Sequence, residues 1–539
     1  AVASVDNVKI KQKGILLNTD PVTKILYQPS DETPFPSDYK NFVHVNEGYE
    51  EDYQNAEVKG KIALIKRGDK PNRKDEMTFA QKVKIAQDKG AVAAIVYDNV
   101  ADASLVHMGG FKEAGVTIPS CFISKKDGET MIANPNVTVK IDTEESYLQN
   151  PNGYKASSFS SWGMTPEGNL KPDISAPGGQ IYSSLNDNNY GLMSGTSMAT
   201  PHVAGGIAVV KEYVEKKFPN VSGTEKHQLI KNLLMSTAVP YVDKTTKAFS
   251  SPRSQGAGLM NLNRAVSSSV VILGTNNISS INLRNITDNN VVIKGKLKNY
   301  SSESKTFDYY AQLNTDMVEN GIAILKPQKV QDTENSKKSI TVAGNSETEF
   351  EVKFSLDDSE VEALKKDRPK GFFLEGYVVF ENTNKNVNEE ISIPFVGFKG
   401  DWNNLQVIED SVYDMISQGK KPTYYEVSDR TPYPFTHIQS KSEGKDILLG
   451  EDPASTYKDP KFNKNKIAFS PNGDGRAEEI QFVGTFLRNY KDVVIEAYTE
   501  GNKVDPIYSF KKNNDFGTKN YFISGFGGPN LTTTKTHWK

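Results

Sequence analysis

The stretch Gly195-Thr-Ser-Met-Ala-Thr-Pro-His202 decides how this chain is read. Ser197 stands among small residues at the head of a segment, Met198 to Lys217, whose pattern predicts a helix. Ala199, Ala204, Gly205 and Gly206 keep that segment narrow. Pro201 falls in its expected first turn, where a missing N–H costs little. A helix start aims backbone N–H groups and the positive end of a dipole at one spot, which suits a site where negative charge develops. The plainer alternative is a buried glycine-rich helix with an incidental serine.

The residues upstream bear on that choice. They include Phe159-Ser-Ser-Trp-Gly163, Lys171-Pro-Asp-Ile-Ser-Ala-Pro-Gly178 and Gly191-Leu-Met-Ser-Gly195. The run from Ser157 to Gly206 closely resembles the nucleophile region of the subtilases, the subtilisin-like serine proteases. The resemblance implies Ser197 as the catalytic nucleophile and gives Asp173 and Pro177 a structural role. Subtilases order their triad Asp, His, Ser along the chain. The six histidines here are His44, His107, His202, His227, His437 and His537, and none sits in a Gly-His-Gly-Thr-His-like setting. His202 lies five residues past the serine and is expected to pack beside the site. No Gly-Asn segment like the family's oxyanion-hole asparagine precedes Ser197, and Ala1 to Asn7 resembles the strand just after that asparagine. The chain is therefore expected to be an internal fragment that is inactive alone. Loss of the base costs a triad about 10⁶ in turnover, and loss of an oxyanion donor roughly 10²–10³.

At 539 residues, three or four domains are expected. A net charge of −3 argues against bulk nucleic-acid binding. The single cysteine, Cys121, excludes an intrachain disulfide and lies in an apolar run, Ile118 to Ser124, that reads as a core strand. No apolar run approaches the ~20 residues of a membrane span. No signal peptide or wall-sorting motif is visible.

An insertion is expected over residues 16–145, between the opening strand and the nucleophile. Val58 to Gly68 reads as a strand buried on both faces, and Ala91 to Tyr97 as another. Between them, Thr78 and Gln81 have capping-box spacing, Phe79, Val83 and Ala86 share a helix face, and Gly90 stops the helix. This segment resembles a protease-associated domain, which implies a role in substrate access or docking; a spacer without substrate contact is the alternative. Arg67-Gly68-Asp69 is an integrin-recognition triplet that acts only when it projects, and otherwise serves as a turn.

Beyond the serine segment, Thr224 to Ser236 predicts a helix, and Ser251 to Leu262 resembles the closing segment of a subtilase domain ending near residue 270. The period then becomes two: Ile293 and Leu297, then Phe307, Tyr309, Ala311 and Leu313, then Phe350, Val352 and Phe354. That predicts a β-sandwich over 271–400. A second is expected over 401–539, with Ile480, Phe482, Val493, Ile495 and Ala497 alternating. The fold class is thus multidomain: a partial α/β subtilisin-like domain (1–15 and 146–270) with an inserted α+β protease-associated domain, then two fibronectin-type-III-like sandwiches. This order resembles the streptococcal cell-envelope proteinases. It implies a secreted, wall-anchored serine endopeptidase acting on a protein such as complement C5a, or on casein as a nutritional proteinase. A surface adhesin on a remnant protease fold is the other class. Asn472, Asp474 and Glu478 place oxygens at spaced positions in a glycine-rich loop, which suits structural calcium. Arg476 stands where a further ligand could be, and the alternative is an Asn-Gly and Asp-Gly turn. The protease portion is expected to show open sheet edges and apolar surface in isolation.

Overall fold

The computed structural model describes residues 1–513 apart from 31–34, 71–76, 102, 104, 151–152, 166–167, 320–321, 385–388, 409, 420–435, 443–444, 456–460, 471, 475, 478–479, 484–491, 500 and 503. Residues 1–68 and 77–403 form one unit, and residues from Asn404 onward form their own.

The serine-bearing part is built on two parallel strands. Val2–Asp6 pairs with Ile174–Gly179 in the register Val2↔Ile174 to Val5↔Pro177. Both strands are largely buried, as parallel strands normally are. Helix Thr196–Lys217 packs on them, and helix Gly223–Ser236 packs on that helix. Ile174, Ala176, Ala199, Val203, Val210, Leu229, Leu233 and Leu234 belong to one core. Among the described residues, part of each expected open edge is covered. Residues 154–157 bond to the outer edge of the first strand, through Asp6 N to Lys155 O at 3.1 Å and Ser157 N to Ser4 O at 2.9 Å. Residues 257–260 bond to the outer edge of the second, through Ser175 N to Gly258 O and Met260 N to Ser175 O, both 2.9 Å. Exposed apolar surface is found: Ile207 and Val209 of the long helix are 44% and 47% exposed.

The insertion begins and ends on one ribbon. Lys9–Leu17 pairs antiparallel with Val139–Gln149, in the register Lys9↔Gln149 to Leu17↔Val139. These pairing strands, Lys9–Leu17 and Val139–Gln149, flank the segment expected as the insertion, 16–145. Inside is a five-stranded sheet in the order Tyr27–Pro29, Ser120–Ile123, Ala93–Tyr97, Ile62–Lys66, Phe42–His44, antiparallel only at its first pair. Alternate residues go to opposite faces. Ala63, Ile65, Ala94, Val96 and Phe122 meet helix Phe79–Asp88 on one side. Ile62, Leu64, Ala93, Ile95 and Cys121 meet helix Lys125–Ala133 on the other. With a helix on each face the unit is a layered α/β arrangement, not the expected α+β one. The capping box forms: Thr78 Oγ1 accepts from Gln81 N, and Gln81 Oε1 accepts from Thr78 N. Gly90 (φ +87°) takes the left-handed turn that ends the helix.

The sandwich forms as expected, starting at Val270. One sheet runs Val270–Leu273, Asn290–Asn299, Glu347–Ser355. The other runs Ile281–Asn285, Glu390–Lys399, Phe372–Asn382, Lys305–Glu319, Ile322–Asp332, with Lys338–Val342 also on Lys305–Glu319. Ile293, Leu297, Phe307, Ala311, Leu313, Phe350, Val352 and Phe354 all enter its core.

In the second unit the described strands make a three-stranded sheet centred on His437–Ser442 and a hairpin of Asp492–Ala497 with Tyr508–Asn513. A second sandwich is not formed among the described residues. Phe482 is 39% exposed, whereas Ile495 and Ala497 are half-buried between exposed Val494 and Glu496, the alternation expected there.

Candidate active site

Gly178 and Gly206 let the helix lie close to its neighbours. A Cβ at Gly178 would stand 2.4 Å from Ser4 Oγ and 2.7 Å from Gly195 O, and one at Gly206 would stand 2.6 Å from Met260 Sδ. Ala204 and Gly205 are exposed, so the narrowing is used at Ala199 and Gly206 instead. The helix starts at Thr196, two residues before the expected position. Pro201 is thus in the second turn, and its missing N–H removes the helical partner of the Ser197 carbonyl.

Ser197 is the second residue of this helix and its side chain is exposed. The segment that delivers it is pinned from behind. Gly195 N donates to Gly178 O at 2.7 Å, and Gln180 N donates to Ser194 Oγ at 2.9 Å. Met198 N and Ala199 N both turn to Gly195 O. Thr196 and Ser197 lead the helix, where amides have no intrahelical acceptor. Ser197 therefore combines an accessible hydroxyl, its own forward-facing amide and the positive end of a long helix.

A hairpin, Ile181–Ser184 with Tyr190–Met193, leads into this segment. Tyr182 and Tyr190 stack at 5.9 Å and are 59% and 63% exposed. Below, Ser4 Oγ lies 2.8 Å from Ser157 Oγ, and Ser157 Oγ donates to Asp6 Oδ1 at 2.5 Å. That buried network was not legible in the sequence, because its members lie about 150 residues apart.

Asp173 is structural, as expected. Its carboxylate meets Lys171 at 2.6 Å and Lys231 at 3.1 Å. Burial works against its charge, but the hydrogen bond from Lys171 and the charge of Lys231 favour the ionised carboxylate.

No described histidine is hydrogen-bonded to Ser197. His202 Nδ1 lies 2.9 Å from Met198 O on its own helix. His44 faces the Tyr97 hydroxyl at 3.1 Å inside the insertion, and burial lowers its pKa. His107 bonds to Pro29 O and His437 to Gln439. His537 lies outside the described residues.

The integrin triplet does not present its arginine. Arg67 is 11% exposed in its side chain, 3.3 Å from Asp98, with its guanidinium over Phe79 and Phe122. In the loop expected to suit calcium, Asp474 N donates to Asn472 Oδ1 at 3.1 Å, Asn472 Nδ2 to Asp474 Oδ2 at 3.0 Å, and Arg476 N to Asp474 Oδ1 at 2.8 Å. These are Asx-turn bonds that use the same oxygens a cation would need. Glu478 lies outside the described residues. The described residues hold no cluster of three or more His, Cys, Asp or Glu suited to a metal.

The sequence profile of the subtilase family matches residues 27–258, and that of an Fn3-like domain matches residues 281–396. The C5a peptidase of Streptococcus pyogenes serotype M1 is 33% identical over 514 residues, covering 87% of this chain and 42% of that protein. The PII-type proteinase of Lacticaseibacillus paracasei is 27% identical over 507 residues, covering 89% of this chain and 25% of that protein. The chain thus spans less than half the length of these relatives. With the serine at the head of its helix and the two-strand platform behind it, the chain belongs to the subtilase family.

Proposed function

We propose that this chain carries the nucleophile of a secreted, cell-wall-associated serine endopeptidase, with Ser197 in that role. The observation that carries the reading is the exposed Ser197 hydroxyl at the head of helix Thr196–Lys217, on a segment pinned through Gly195 and Ser194. In the longer protein, a histidine base takes the proton of Ser197 Oγ as that oxygen attacks a peptide carbonyl. The tetrahedral oxyanion forms against the Ser197 amide; its collapse breaks the C–N bond as the histidine gives the proton to the leaving amine, and water then hydrolyses the acyl-enzyme. Alone, the chain is expected to be inactive, because no described histidine is bonded to Ser197.

The similarity to C5a peptidase favours one folded protein, complement C5a, as substrate; the similarity to PII-type proteinase favours casein. The insertion fits a protease-associated domain that controls access to the cleft, since its Leu26–Phe122 core packs against Leu192 of the hairpin. An integrin contact through Arg67-Gly68-Asp69 would require Arg67 to leave Asp98. The test gives the longer protein C5a and casein in one mixture, with Ser197→Ala as control and mass spectrometry to map cuts. One Ser197-dependent cut in C5a is the expected result. Cuts in casein alone make it a nutritional proteinase, and no Ser197-dependent cut in either overturns the peptidase reading.

A further inference from the structure

The inserted unit reaches the serine-bearing segment through two glutamines. Gln28 sits on strand Tyr27–Pro29 and is 1% exposed; Gln180 follows Gly178-Gly179 and is 3% exposed. Gln180 Nε2 donates to Gln28 Oε1 at 2.7 Å. Gln28 Nε2 donates to Pro29 O at 3.3 Å and reaches Leu192 O at 3.5 Å. The backbone of Gln180 continues the connection. Its N–H donates to Ser194 Oγ at 2.9 Å, and its carbonyl accepts from Asn7 Nδ2 at 3.1 Å. From the insertion to the residues before Ser197 the contacts are thus unbroken.

Stability alone does not explain these residues. Gln180 has φ +61°, a left-handed conformation that penalises any residue with a Cβ. Its Oε1 is buried without a hydrogen-bond partner, a cost an apolar residue would avoid. A glycine would relieve both. Buried polar groups held in a strained backbone persist where the surroundings over-determine them, and such positions cluster at functional sites.

We propose that Gln28 and Gln180 are positioning residues that fix the segment Leu192–Gly195, and through it Ser197, to the inserted unit. A displacement of the insertion then moves the loop that presents the nucleophile. The mechanical link stands without the peptidase reading, and its consequence for reactivity rests on that reading.

Hydrogen exchange on this chain tests the link. Gln180→Gly accepts the positive φ and keeps the amide bond to Ser194, so it removes only the side chain. Gln28→Leu removes the other end while keeping volume. Either variant should speed exchange over residues 190–196 about tenfold, the effect of one lost hydrogen bond. The double variant should go no further, since both substitutions break one link. Exchange in Ala93–Tyr97 should not change. Unchanged rates over 190–196, additive effects, or equal acceleration in Ala93–Tyr97 would overturn the proposal. In the longer protein, a fluorophosphonate should label Ser197 about tenfold more slowly in each variant, through its maximal rate and not its affinity. Equal labelling would overturn the positioning role. If the unaltered longer protein fails to label, the peptidase reading falls while the exchange result still decides the link.

Discussion

Replacing Arg253 with methionine should separate the sandwich from the serine-bearing part. Arg253 lies in the short helix Pro252–Gln255, and its side chain is 3% exposed. Its Nε donates to Glu375 Oε2 at 2.8 Å, and its Nη2 donates to Glu375 Oε1 at 3.1 Å and Asp316 Oδ1 at 2.6 Å. The guanidinium also lies 3.9 Å from the centre of the Phe373 ring. Glu375 and Asp316 both belong to the sandwich and are 2% and 13% exposed in their side chains. Methionine fills similar space but leaves two buried carboxylates without their cation. Breaking a buried pair from one side costs about 3–5 kcal/mol. At about 2–4 °C per kcal/mol for a domain of this size, the calorimetric transition should fall roughly 6–20 °C. Lys294→Met removes an exposed pair with Glu351 and should leave the transition where it is. Adding Glu375→Leu and Asp316→Leu to Arg253→Met should recover most of the loss, because no charge is then stranded. A shift within about 1 °C for Arg253→Met, or no recovery in the triple variant, would refute the reasoning.

Other expectations follow from the same geometry. Burial pushes Asp316 up to about 6, with Arg253 pulling down and Glu375 pushing up. A carboxyl raised in the folded state favours folding as pH falls toward its unfolded value and loses that contribution as pH rises through about 6. Melting temperatures at pH 5 and pH 8 should therefore differ less in Asp316→Asn than in the unaltered chain. Thr78→Ala removes the cap of helix Phe79–Asp88 and should cost about 1 kcal/mol, read as faster exchange in that helix. If Asn472, Asp474 and Glu478 hold calcium, adding the ion should raise the melting transition of the second unit, and Asp474→Ala should abolish the rise. An unchanged transition makes the loop an Asx turn, as its described bonds alone would have it.

What could be read beforehand was local or periodic. Ile293 and Leu297 declare their face by alternation, and both are fully buried. The Thr78–Gln81 box marks the helix start at Phe79. Ser197 is legible because the whole octet around it is short and contiguous. What could not be read depends on residues distant in sequence. Gln180 and Gln28 are 152 positions apart, and nothing in a lone glutamine after two glycines signals a left-handed backbone. The ribbon that bounds the insertion pairs Lys9 with Gln149, so its edges emerge only when both strands are in place.

The sandwich also bears on how one edge of the two-strand platform is covered. The outer edge of Ile174–Gly179 is covered by residues 257–260, through Ala257 N to Asp173 O and Ser175 N to Gly258 O, both 2.9 Å. That covering segment is held from the other side by the sandwich. Tyr377 Oη donates to Gly256 O at 2.6 Å, and Phe249 N donates to Gln312 Oε1 at 2.7 Å. Gly256 must be glycine, since φ is +63° and a Cβ would stand 2.5 Å from the Asp173 carbonyl carbon. The same strand carries Gly178 near its end, whose carbonyl pins Gly195 two residues before Ser197. Loss of Arg253 should therefore loosen residues 257–260 before it loosens helix Thr196–Lys217, an order that hydrogen exchange can resolve.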